Sequence, residues 1–188
     1  MSARVGKRVI VVVGMHRSGT SAITRGLQCL GVQLGDELLP PVAGDNDKGY
    51  WEDADVHKLN DDLLAHLGRD WSSLLVIGAE EWARQDLAPL RLRAVDMMRA
   101  KTANTNLFGL KNPRIALLLP FWKAVFEHLG LEASYVIAVR NPLSVARSMT
   151  MRCCSPSTRK NCCATSSRTR RRVSATVSLT AVRFSRAS

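Results

Sequence analysis

The sequence predicts an α/β domain built on a mostly parallel sheet, and three observations carry that reading. Residues 9–13 (Val-Ile-Val-Val-Val) form a β-branched run bounded by basic residues and Gly14, the pattern of a strand buried on both faces. A stretch with helical spacing of apolar residues follows from Thr20. Two further short strand-like runs, 107–110 and 134–139, come later, separated from the first and from each other by helical segments.

The elements can be justified in order. Residues 20–30 place Ile23, Leu27 and Leu30 on one helical face, and Gly31 suits the stop. Residues 34–49 contain three Gly and two Pro and read as a loop. Between Asp53 and Leu67, the apolar positions Val56, Leu59, Leu63, Leu64 and Leu67 mark a second helix. Residues 80–103 are helical again, with Pro89 kinking the helix or separating two. The strand at 107–110 leads into an apolar helix over 115–129, with a break expected at Pro120. The strand at 134–139 leads into a helix opened by Pro142 in its first turn. Three strands are few for such a sheet, so the fold reads as incomplete at its C-terminal side.

The chain of 188 residues is 46% hydrophobic, 5% aromatic and 23% charged, the composition of one ordinary globular domain. Its longest apolar runs, 9–13 and 115–120, fall far short of the about 20 residues of a membrane span. Arg4, Lys7 and Arg8 before the first run imitate a signal peptide. The run is too short, however, and meets Gly14-Met15-His16-Arg17 instead of a small-residue cleavage site, so a cytoplasmic location is expected.

The net charge of +11 is unevenly spread. Residues 151–188 carry nine Lys or Arg and no acid, with four of the five cysteines and 13 Ser or Thr. The sequence thus divides into an α/β portion, 1–150, and a basic tail, 151–188. Out-of-frame translation, a disordered tail and a nucleic-acid-binding arm are three readings of the tail. No strand is expected in it, which leaves the edge beside 134–139 without cover. The pairs Cys153-Cys154 and Cys162-Cys163 match neither a zinc site nor a disulfide framework, and no metal site is expected.

The chemistry concentrates in Gly14-Met15-His16-Arg17-Ser18-Gly19-Thr20-Ser21, between the first strand and the first helix. A strand, a glycine-bounded loop and a helix N-terminus gather backbone N–H groups around an anion, with the helix dipole adding to the attraction. Gly14 and Gly19 have the spacing of a nucleotide P-loop, but Thr20 occupies the lysine position and the nearest cation is Arg17. The other two strands run into Lys111-Asn112-Pro113-Arg114 and Arg140-Asn141-Pro142. Strand carboxyl ends converge on the ligand crevice of an open α/β sheet, so Arg17, Lys111, Arg114 and Arg140 are expected to meet there. Clustered cations without an evident Mg²⁺ ligand point to transfer of an anionic group. A P-loop nucleoside or small-molecule kinase is the alternative, and a nucleic-acid-binding protein led by its basic tail is a second.

These residues resemble the sulfotransferases that use 3′-phosphoadenosine 5′-phosphosulfate (PAPS), specifically bacterial-type members with an Arg-Ser-Gly-Thr loop. The loop at 14–21 resembles the 5′-phosphosulfate loop, and Arg140-Asn141-Pro142 with Ser148 resembles the 3′-phosphate motif. Gly49-Tyr50-Trp51-Glu52 and Leu110-Lys111-Asn112-Pro113-Arg114 are similar to segments recurrent in that branch. The resemblance spans about residues 8–150.

It implies a three-layer P-loop-like fold, PAPS as donor, no metal, and metal-free in-line sulfuryl transfer to a hydroxyl or amine. Gly14, His16, Arg17, Ser18, Gly19, Thr20, Ser21, Arg140 and Ser148 would hold the donor. Arg17 would act on the leaving-group side, Lys111 at the bridging oxygen, and Glu52 as base. Glu52 has a second reading, as a first-turn acid of the helix starting near Asp53. Tyr50 and Trp51 either flank a ligand or anchor their loop on the core, whereas His57 and His66 read as helix-surface residues. Members of the family continue with further helices, a strand and a late basic segment that 151–188 do not match. The chain is therefore expected to keep half the donor site and to lack a complete acceptor site; the acceptor class stays open, with no specific nucleic acid or membrane span expected.

Overall fold

The computed structural model describes residues 6–43, 46–73, 75–153 and 177–183, with backbone alone at 151–153 and 177–183. Strand β1 (Arg8–Gly14) is followed by helix α1 (Thr20–Cys29), a long loop, and helix α2 (Ala54–His66). A one-turn helix α3 (Ala79–Trp82) and a 3₁₀ turn lead into α4 (Ala88–Lys101). Strand β2 (Leu107–Lys111), helix α5 (Ile115–His128), strand β3 (Glu132–Arg140), helix α6 (Pro142–Cys153) and strand β4 (Val177–Arg183) complete the order.

The sheet runs β2-β1-β3-β4. β1 pairs in parallel with β2, from Arg8↔Leu107 to Val12↔Lys111, and in parallel with β3, from Arg8↔Glu132 to Gly14↔Ala138. Parallel neighbours need long crossovers, and helices supply them. Val9, Val11 and Val13 belong to the main core with Phe108, Leu110 and Tyr135, while Val12 on the opposite face is also fully buried. Burial on both faces explains why β1 reads as a continuous β-branched run.

Helices α2, α4 and α5 cover the core face through Leu59, Leu63, Met98, Leu118, Trp122 and Phe126. The Trp122 indole donates to Asn60 Oδ1 at 2.9 Å, joining α5 to α2 inside that layer. α1 packs on β1 and β2. It ends as the sequence leads one to expect: Gly31 is left-handed (φ 87°), its N–H reaching Gln28 O at 2.9 Å and that of Val32 reaching Leu27 O at 3.1 Å.

Three expectations need correction or refinement. Pro120 lies inside α5 and does not break it. Pro120 and Ala116 both lie on the exposed face of α5, while Leu118, Phe121 and Trp122 hold the helix on the core. Pro89 sits in the first turn of α4, where a missing N–H is harmless, and the separation from α3 falls at Ala83–Arg84 before it. Finally, 177–183 form a strand antiparallel to β3, from Arg140↔Val177 to Ser134↔Arg183, on the edge expected to stand uncovered. The run Val-Ser-Leu-Thr-Ala-Val is rich in strand-forming residues, and the basic composition around it obscures this in sequence. The out-of-frame and disordered readings fall otherwise on 154–176 and 184–188, which lie outside the described residues, as do Cys154, Cys162 and Cys163.

Candidate functional site

The carboxyl ends of β1, β2 and β3 face one cavity of about 690 Å³, within the range of small-molecule sites. Among the described residues lining it, Arg17, Arg25, Lys48, Lys111 and Arg140 are cationic and Glu52 is the one carboxylate. The cavity is therefore strongly electropositive, and an anion would be drawn to it.

The loop after β1 sets its floor. Arg17 (φ 65°) and Gly19 (φ 101°) are both left-handed, and this alternation turns successive N–H groups to one side. Gly19 is the N-cap of α1 and, having no side chain, leaves the first-turn N–H groups without a side-chain cap. Ser18 is buried, and its Oγ has no hydrogen-bond partner among the described residues. Gly14 has a steric reason: a Cβ there would stand 2.8 Å from both Ala138 O and Ser18 Oγ. Only glycine lets this loop lie against β3.

Two side chains clamp the loop, one from the end of β3 and one from α6. Arg140, the last residue of β3, donates from Nη1 to Arg17 O at 2.9 Å, while its buried Nε has no partner among the described residues. Arg17 Nε donates to Ser148 Oγ on α6 at 2.8 Å. Arg140 thus lines the cavity, whereas Ser148 is engaged with Arg17 and is absent from the lining.

The opposite wall is an ion-pair network. Lys111 Nζ at the end of β2 lies 2.6 Å from Glu52 Oε1, 2.9 Å from Tyr50 O and 3.4 Å from Ser21 Oγ. Ser21 Oγ in turn donates to Tyr50 O at 3.1 Å, joining α1 to the same loop. Glu52 Oε2 accepts from Asn112 Nδ2 at 2.7 Å and lies 3.3 Å from His57 Nδ1. Burial alone would raise the Glu52 carboxyl, but His57 and Lys111 outweigh it and hold it below the usual carboxylate range. Burial pulls the Lys111 ammonium down against the attraction of Glu52.

Glu52 is not a first-turn acid. Asp53 is the N-cap of α2, its Oδ1 accepting from Val56 N at 3.0 Å, and Asp55 is the acid in the first turn. Glu52 therefore points away from the helix end and into the cavity wall.

Of the residues singled out in sequence, His16, Arg17, Gly19, Thr20, Ser21, Glu52, Lys111 and Arg140 line the cavity together. Gly14 and Ser18 support it from behind. Arg114 does not join the other cations: its Nε lies 2.7 Å from Asp61 Oδ1, outside the lining. Tyr50 and Trp51 both line the cavity, with the Arg25 guanidinium 6.0 Å from the Trp51 ring centre. His16 meets Trp71 edge-on at 5.5 Å.

The sequence alone gives no role in the site to Arg25 and Lys48, which add cations to the lining, or to Asn112 and His57. Asn112 is fully buried and orients Glu52, and its only signal was its place beside Lys111 at a strand end. His57 is no bystander on the helix surface, because it reaches Glu52. The signal was its position one turn into the helix that Glu52 precedes. His66, by contrast, pairs with Asp86 at 2.9 Å at an exposed position. No protein-family model, curated protein or solved structure matches the chain.

Proposed function

We propose that this chain is a PAPS-dependent sulfotransferase, or its donor-binding portion, with the three-layer P-loop-like architecture of that family. The observation that carries the reading is the clamp on the first loop. The loop leading to a helix N-terminus without a side-chain cap is held at Arg17 by Arg140 and Ser148, beside a cavity with one carboxylate among the described residues. That donor set fits a ligand with phosphate and sulfate groups: the backbone N–H groups at 19–21, the Arg17 and Lys111 cations, and the buried Arg140 Nε, which has no partner among the described residues.

Sulfuryl transfer needs positioning and charge neutralisation more than covalent catalysis. In this reading the N–H groups orient the anion. Arg17 offsets charge on the leaving phosphate, and Lys111, fixed by Glu52 and Tyr50 O, offsets charge at the bridging oxygen. Glu52 takes the proton of the attacking hydroxyl or amine.

Calorimetric titration tests the proposal with adenosine 3′,5′-bisphosphate and ADP, each with and without Mg²⁺. Tighter binding of the bisphosphate without need of Mg²⁺ is expected. Equal affinities, or strict dependence on Mg²⁺, would point to a nucleotide kinase instead.

A further inference from the structure

The imidazole of His57 stands behind Glu52 with partners arranged for two protonation states. Its Nδ1 is 3.3 Å from Glu52 Oε2, an acceptor, and 3.4 Å from both Arg114 Nη1 and Asn112 Nδ2, which are donors. Its Nε2 is 3.3 Å from Asp61 Oδ2, one turn along α2. A neutral ring with its proton on Nε2 donates to Asp61 and accepts at Nδ1 from Arg114. A protonated ring keeps the Asp61 contact and donates from Nδ1 to Glu52. Only the occupancy of Nδ1 changes, and both conditions of that nitrogen have a partner in place.

The surroundings favour such a change. Glu52 is only 4% exposed with both of its oxygens engaged, whereas the His57 side chain is 27% exposed. The charged groups facing the ring are Glu52 from the loop before α2, Asp61 from α2 itself, and Arg114 from the segment after β2. Lys111 acts on Glu52 from the cavity side.

We propose that His57 is a positioning and proton-relay residue: it takes from Glu52 the proton that the acceptor gives up. The proposal rests on the sulfotransferase reading. As the bond from the acceptor oxygen or nitrogen to sulfur forms, the acceptor's O–H or N–H bond breaks and the proton passes to the Glu52 carboxylate. The sulfur–oxygen bond to the phosphate breaks, and its electron pair leaves with the phosphate. The proton moves on to His57 Nδ1, restoring the Glu52 carboxylate as the partner of Lys111. The imidazolium then returns one proton to solvent, and exchange through water restores the neutral ring with its proton on Nε2.

Two measurements on the full chain test this. Nitrogen NMR of the histidine rings, with His57 assigned by its loss in His57→Gln, should find the neutral ring protonated on Nε2. A neutral ring protonated on Nδ1 would overturn the proposal. PAPS turnover with water as acceptor, followed as adenosine 3′,5′-bisphosphate release from pH 5 to 9, supplies the kinetic arm. His57→Gln keeps an amide donor toward Glu52 but cannot carry the proton onward. It should lose roughly tenfold or more in rate, short of the 10²–10⁴-fold of a direct general base, with the acid limb of the wild-type pH profile displaced. Added imidazole should restore His57→Ala in part. A His57→Gln profile that overlays the wild type at every pH would sink the relay. Absence of turnover in the wild type would count against the sulfotransferase reading instead, leaving the ring protonation to decide the present one.

Discussion

Lys111 and Glu52 form an ion pair of 2.6 Å in which the side chains are only 3% and 5% exposed. It joins the carboxyl end of the edge strand β2 to the turn that starts α2, where no backbone hydrogen bond links the two among the described residues. Removing one member of a buried pair leaves the other charged and desolvated, at a cost of about 3–5 kcal/mol. Urea unfolding should therefore find Lys111→Met and Glu52→Leu each destabilising by about that amount. The double variant should recover much of the loss. Equal and additive losses would show that the two charges do not depend on each other.

The same carboxyl makes stability depend on pH. Its folded-state pKa lies below that of the unfolded chain, so its contribution is complete above the ordinary glutamate value of about 4.3. That contribution is withdrawn as the pH falls below this toward the depressed folded-state value. Thermal unfolding between pH 3 and 7 should show a shallower acid limb for Glu52→Gln than for the wild type. An unchanged limb would place the acid sensitivity elsewhere.

Arg140 offers a charge-assisted contact from a strand end, worth roughly 1.5–3 kcal/mol. Arg140→Ala should weaken adenosine 3′,5′-bisphosphate by about ten- to a hundredfold and adenosine 5′-monophosphate much less. Because Arg140 also holds Arg17 O, a uniform loss for both nucleotides would assign it to loop support alone.

Gly14→Ala tests the close approach of the loop to β3. A methyl group would meet Ala138 O and Ser18 Oγ at 2.8 Å each, and overpacking of this kind costs typically about 1–3 kcal/mol. The melting temperature should fall and the nucleotide affinity should fall with it, since relief requires the loop to lift from the sheet. Gly6→Ala, at an exposed position before β1 that meets nothing within 4 Å and lies outside the cavity lining, is the control and should leave both unchanged.

The parts of the molecule legible in sequence are those whose determinants are local. The β1–loop–α1 unit could be read because β-branched residues, two glycines and an amphipathic helix follow one another within a short segment. The helix start near Asp53 and the stop at Gly31 are local in the same way. The partners of Arg17 could not be read: Arg140 and Ser148 were visible as residues, yet nothing in their spacing says that one holds the Arg17 carbonyl and the other its guanidinium. His57 was hidden because the apolar stripe of Val56, Leu59 and Leu63 places it to the side of the core. Only the turn of the preceding chain shows that Glu52 comes back to meet it. The break expected at Pro120 does not occur because the proline lies on the exposed face of α5, and the packing of Leu118, Phe121 and Trp122 on the other face holds the helix together.

β1 is central in the sheet but first in the chain, and both of its parallel neighbours, from Leu107 and Glu132 onward, arrive much later. During synthesis at about 5–20 residues per second, this apolar strand emerges long before either ladder can close around it. Its pairing is non-local, the kind of contact that slows folding. The anion loop inherits the delay, since its clamps Arg140 and Ser148 leave the ribosome after nearly everything else described here. A nascent chain halted before Leu107 would hold an unpaired hydrophobic strand, and one halted before Arg140 an unanchored loop; the first is a natural client for a chaperone.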